Sequence, residues 1–178
     1  MSVTASDQEG VELERRARCK AEPAATWRTR MVAASSCSTE DVLFLERLSA
    51  PNVVINYTRI AGRLSLHASS SGLVLLAYGP TSLKEAVPSG PLIAYTSATP
   101  AEPTRLRAVL AEARQQGYAY CPGRVHQEAL GIAAPIRGAE GAVVAAPSVI
   151  VPSESSAHAV VPVVRMAARG ISRARQRL

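Results

Sequence analysis

The sequence predicts an α+β domain built on an antiparallel sheet. Three observations carry this prediction. Its patterned segments run in the order strand, strand, strand, helix, helix, strands, helix, which is a segregated and not an alternating arrangement. The early strand-like segments are joined by short turns, as in a meander. Apolar residues make up 47% and charged residues 19% of 178, enough for a real core and too apolar for disorder.

The elements follow in order. Residues 1–29 are mixed polar and contain the run ELERRARCK, with Pro23 behind it; they read as an N-terminal extension or remnant linker helix over about 10–22. RMVAAS (30–35) is a strand, SCSTED (36–41) has turn chemistry, and DVLFLERL (41–48) is a second strand. After SAPN, the β-branched run VVINYTR (53–59) is a third strand, and residues 62–66 are extended. Ser69 to Gly72 open a helix that ends near Gly79. GPTSLKEAVPSGPL is a Pro/Gly/Ser-rich connection.

Thr99, with Pro100 behind it, is placed to cap the next helix, whose Leu106, Val109, Leu110 and Ala113 share one face; Gly117 ends it. Two apolar runs around RGAEG read as a hairpin, 130–136 against 142–151. SESS then offers a serine cap to the last helix, whose start Pro162 would kink or delay. Aromatics are scarce at 4%, so the core must be built from Val, Leu, Ile and Ala.

Composition excludes several classes. Cys19, Cys37 and Cys121 are odd in number and far apart, and no CxxC or CxH pair occurs, which argues against zinc and against a disulfide scaffold. No cofactor and no metal is expected. No segment has eighteen apolar residues in a row and the first residues lack an apolar run, so the expected setting is the cytoplasm, without membrane contact.

The formal charge is +6, and RMAARGISRARQRL alone carries Arg165, Arg169, Arg173, Arg175 and Arg177 without an acid. These arginines either complement the negative end of a helix dipole or meet nucleic acid or another acidic partner. No phosphate loop, GxGxxG, HExxH or GxSxG is present. A Cys–His pair, for example Cys121 with His126, could in principle assemble in space. The residues alone therefore describe a soluble α+β domain that is not an obvious enzyme.

Taken in order, DVLFLERL, GRLSLHASSSGLVLLA, LIAYTSAT, LRAVLAEARQQGYA, LGIAAPIRGAEGAVVAAPSV and MAARGIS resemble the effector-binding domain of IclR-type transcriptional regulators. The resemblance assigns residues 30–178 to such a domain. It implies a GAF-like fold, a twisted antiparallel sheet packed with helices. It also implies a small-molecule effector, often a carboxylate, and a homodimer or homotetramer whose state controls DNA binding. DNA would be reached only through a winged helix-turn-helix, for which residues 1–29 offer too little chain. The alternative is a stand-alone dimerisation module that modulates longer relatives.

The resemblance also gives site residues. The small-residue loop Ser69, Ser70, Ser71 and Gly72 would line the effector pocket, where free helix N-terminal amides suit a carboxylate; Ser69 or Ser70 could equally serve only as a cap. Cys121 stands where a polar pocket residue is frequent, Gly131 where a cysteine often points inward, and Ser148 where a strand serine binds ligand. Ile150 replaces a second serine, and Leu73 stands where a lysine is common. The pocket is thus more apolar than the family pattern and suits a bulkier aromatic or aliphatic acid. His67, at the end of a strand, reads as structural.

Overall fold

The computed structural model describes residues 30–38, 41–47, 63–153 and 157–175. Among these residues seven strands form one antiparallel sheet: β1 (Arg30–Ser38), β2 (Asp41–Arg47), β3 (Arg63–Ser65), β4 (Ala119–Pro122), β5 (Ala129–Ala133), β6 (Ile136–Arg137) and β7 (Val143–Pro152). Their order is β3-β2-β1-β7-β5-β4, with β6 also paired to β7. The long β7 lies at the centre because its run VVAAPSVIVP can be buried on both faces.

Among the described residues four α-helices cover this sheet: α1 (Ser70–Tyr78), α2 (Thr81–Ser89), α3 (Pro103–Gln116) and α4 (Val160–Arg175). α1 is apolar all round and is buried from Ser70 through Ala77, sandwiched between the sheet and α3. α3 buries Leu106, Leu110 and Ala113, one stripe at helical spacing. Gly117 closes it at φ 76°, a left-handed conformation that glycine adopts without strain.

α4 lies on the opposite face. Its Val160, Val161, Val164 and Ala168 pack on Leu130, Ile132, Ile136, Val149 and Val151. The sheet alternates accordingly, with Cys121, Ala133 and Ala146 belonging to the α1 side. The α+β class, the antiparallel sheet and the hairpin around RGAEG are as predicted.

Several local expectations are corrected. GPTSLKEAVPSGPL is not a bare connection: it holds α2, whose Leu83 and Val87 form an i,i+4 apolar pair that docks on the core. Pro88 lies in the last turn of α2, where it costs a single hydrogen bond. Thr99 does not cap α3. The helix starts at Pro103, a proline in the first turn, behind Glu102, which makes no side-chain cap bond.

β1 runs on to Ser38 and pairs with β2 through Cys37↔Val42 and Ser38↔Asp41, so the turn expected at 36–41 begins as strand. AYCP forms β4, which the pattern alone did not separate from the following loop. Pro162 falls in the first turn of α4 and is tolerated, because the amide it lacks would be unpaired there. The helix over 10–22, the strand over 53–59 and most of the SESS cap lie outside the described residues.

Candidate functional site

The N-terminus of α1 is built from serines with separate tasks. Ser69 is the N-cap: its Oγ accepts from the Gly72 amide at 3.1 Å and donates to the Ser65 carbonyl at 3.4 Å. Gly72 is glycine for packing, since a β-carbon there would stand 2.5 Å from the Leu66 carbonyl oxygen. The helix therefore enters its first turn against the backbone of residue 66. Ser69 and Gly72 shape the entry, and Ser70 and Ser71 face inward, both buried.

Ser70 reaches the sheet. A β-carbon on Gly131 would meet Ser70 Oγ at 2.9 Å, Ser70 Cβ at 3.2 Å and Ile150 Cδ1 at 3.3 Å. Strand register explains the meeting: Cys121 is opposite Gly131, and Gly131 is opposite Ile150. Opposed residues of antiparallel strands share a face, so these three form one row beneath Ser70. Ser148, opposite Ala133, lies one row further on the same face and is buried. The fold thus joins Ser70, Cys121, Gly131 and Ile150, with Ser148 adjacent.

Two polar groups here bear on the chemistry. The Ser71 hydroxyl is buried and has no hydrogen-bond partner among the described residues. Such an orphan costs about 1–3 kcal/mol unless something satisfies it. Burial pushes the Cys121 thiol up to about 11; Arg124 pulls it down and Glu112 raises it slightly further. A thiol so placed stays protonated at neutral pH and is not poised as a nucleophile. His126 Nδ1 accepts the Glu128 amide at 3.3 Å, a local turn contact.

A strap formed by residues 92–99 borders the site. His67 Nε2 lies 2.9 Å from the Ile93 carbonyl, and Tyr95 Oη lies 2.9 Å from Ser65 Oγ, so one end is tied beside the entry to α1. His67 is buried and structural, as expected. The other end is tied to the β4–β5 loop: Thr96 Oγ1 donates to the Gly123 carbonyl and Thr99 Oγ1 to the Arg124 carbonyl, each at 2.6 Å. Thr99 Oγ1 also accepts from the Tyr95 and Thr96 amides.

Thr96 and Arg124 carry no sequence expectation, and Thr99 carries only that of a helix cap. The signal available was Pro122–Gly123–Arg124 directly after Cys121, a turn that carries a cation next to the row. Arg124 Nη1 is buried without a partner among the described residues. Those residues contain no cluster of three or more metal-ligating side chains, and no helix among them is long and apolar enough to cross a membrane.

Comparisons with known proteins agree with this architecture. The model of the family described as bacterial transcriptional regulator IclR C-terminal matches residues 12–173. An IclR homolog from Microbacterium hydrocarbonoxydans, solved in complex with 4-hydroxybenzoate, is 40% identical; the match has a TM-score of 0.80 and covers 96% of this chain and 67% of that one.

Two curated relatives also match. The HTH-type transcriptional regulator XynR of Escherichia coli (strain K12) is 32% identical over 105 residues, 58% of this chain and 42% of that protein. The Pca regulon regulatory protein of Pseudomonas putida is 34% identical over 109 residues, 60% of this chain and 38% of that protein. The chain spans less than half the length of either of these regulators. The sheet with helices on both faces is the GAF-like fold of such domains. Fold, family match and similarity thus converge, and the chain belongs to the IclR family of transcriptional regulators as an effector-binding C-terminal domain.

Proposed function

We propose that this domain senses a small organic acid at the N-terminal end of α1. The observation that carries the reading is the approach of Ser70 to the Gly131–Ile150 row beside the unpartnered, buried Ser71 hydroxyl. Free amides of the first helical turn and the positive end of the helix dipole favour a carboxylate, and small side chains let it come close. Ile150 and the neutral Cys121 thiol supply apolar wall, which suits an aromatic or longer aliphatic body. The complex of the Microbacterium homolog with 4-hydroxybenzoate supports an aromatic acid.

In the whole regulator, occupancy would bias a homodimer or homotetramer between DNA-binding states, a population shift driven by differential affinity. DNA would be contacted by a winged helix-turn-helix outside the described residues, in the cytoplasm. Ser69, Ser70, Ser71, Gly72, Cys121, Gly131, Ser148 and Ile150 form or support the effector site.

The test is thermal and urea unfolding of the 178-residue chain with 4-hydroxybenzoate and a panel of aromatic and aliphatic acids. A ligand at about 100 times its Kd adds about 2.7 kcal/mol to stability. That gain should vanish in Ser70→Val, whose extra methyl groups fill the approach to Gly131. No stabilisation by any acid of the panel overturns the reading. Light scattering with and without the active acid then reports whether the oligomer responds.

A further inference from the structure

A second concave site lies at the far end of α1, between α4, β6 and the turn at Gly117. This cleft measures about 350 Å³, within the range of small-molecule sites. Arg165, Arg169 and Arg173 enter it from α4 and Arg137 from β6, and no carboxylate among the described residues lines it. The three α4 arginines stand at successive i,i+4 positions, about 6 Å apart along the axis.

Like charges at that spacing repel, and the helix dipole compensates only within its last turn. The last turn of α4 contains Arg173 and Arg175. The dipole therefore accounts for Arg173 and leaves Arg137, Arg165 and Arg169 without a counter-charge among the described lining residues.

Two of these guanidinium groups are already oriented. Arg137 Nη1 donates to the Gly141 carbonyl at 2.9 Å, and its Cζ stands 5.0 Å from the centre of the Tyr78 ring. Arg165 Cζ stands 5.7 Å from the centre of the Tyr118 ring. The walls are tied together, since Ser172 Oγ accepts from the Arg137 amide at 2.9 Å and donates to the Ala168 carbonyl at 2.7 Å. Ala134, Pro135 and Ala168 form an apolar floor.

We propose that this cleft binds a small ligand of the diphosphate class, one that carries at least two oxyanion groups. Planar guanidinium forks grip phosphate oxygens in pairs, and arginines fixed before binding lose less freedom on doing so. Two doubly ionisable groups match several convergent cations, where one oxyanion would leave most of the charge unopposed. The concave shape favours a compact ligand over the convex backbone of a duplex. The site is separate from the one at Ser70 and stands without it.

Inorganic pyrophosphate is the probe. Calorimetric titration of the full chain should show saturable binding. Arg169→Gln and Arg173→Gln, both exposed positions, should each weaken it about tenfold, roughly 1.4 kcal/mol. Arg107→Gln, on the exposed side of α3, should bind as the parent does. Unfolding midpoints near that of the parent confirm that the variants fold.

Four results overturn the proposal: no saturable binding, equal weakening in Arg107→Gln, sulfate binding as tightly as pyrophosphate, or duplex DNA displacing pyrophosphate at lower concentration. The last would make the arginines a polynucleotide surface.

Discussion

Ser70 Oγ stands 2.9 Å from the point where a β-carbon on Gly131 would lie. The helix and the sheet are therefore in contact at this point, and a methyl group on Gly131 fits only if Ser70 or Ile150 shifts. Gly131→Ala should destabilise the domain by about 1–3 kcal/mol, the usual cost of overpacking. Much of that cost should disappear in Gly131→Ala combined with Ser70→Gly, because the double variant removes the clashing atoms on the other side. A double-mutant cycle by urea unfolding measures the coupling. Additive losses would mean that the strain lies against Ile150 instead.

The next prediction concerns a hydroxyl that does nothing for the free fold. Ser71 Oγ is buried and has no hydrogen-bond partner among the described residues. Ser71→Ala removes that orphan, so the free protein should be as stable as the parent or more so, by about 1 kcal/mol. If the hydroxyl serves the effector, affinity for the active acid should fall about tenfold in the same variant. Raised stability with unchanged affinity would remove Ser71 from the site.

Much of this arrangement was legible in the sequence, for identifiable reasons. The apolar run after Ser69–Gly72 is apolar on every side, so it could only be a buried helix with its entry held by the serines. Gly117 announced the end of α3 because a left-handed position there needs glycine. β4 was not legible, because four residues ending in a proline show too little alternation. α2 was hidden by its own prolines, which sit at the two ends where a helix tolerates them. Thr99 has the residue type of a cap, and only the tertiary contact with Arg124 shows that it pins a strap instead. That Cys121, Gly131 and Ile150 form one row is a fact of register, and no local pattern encodes it.

The Cys121 thiol makes a prediction about pH. Burial raises it from 9.0 to about 11. The folded state thus holds the proton more tightly than the unfolded state does. Its contribution to stability is whole below pH 9 and declines as pH rises from 9 toward 11. Cys121→Ala should lose that decline, which is on the order of 1 kcal/mol per pH unit of separation between the folded and unfolded thiol. Urea unfolding across this range, parent against variant, measures the difference. Thiol labelling of native protein near pH 8 should be slow at Cys121 and speed up on unfolding; fast native labelling would contradict the buried, neutral thiol.

Thr99 provides the last test, of the strap that borders the site. Its Oγ1 accepts from the Tyr95 amide at 3.1 Å and the Thr96 amide at 2.9 Å, and donates to the Arg124 carbonyl at 2.6 Å. Thr99→Val keeps the shape and removes all three bonds. Leaving two part-buried amides without this acceptor and the Arg124 carbonyl with only the longer Thr96 contact should cost about 1–3 kcal/mol. Thr99→Ser keeps the hydroxyl and should cost well under half of that. Amide exchange localises the effect: Tyr95 and Thr96 should lose protection in Thr99→Val before the amides of α3 do. If the loss is uniform, the strap is part of the global folding unit and cannot open by itself. If it is local, the strap is the element that could yield to admit an effector beside Ser70, with Gly123 and Arg124 as its latch.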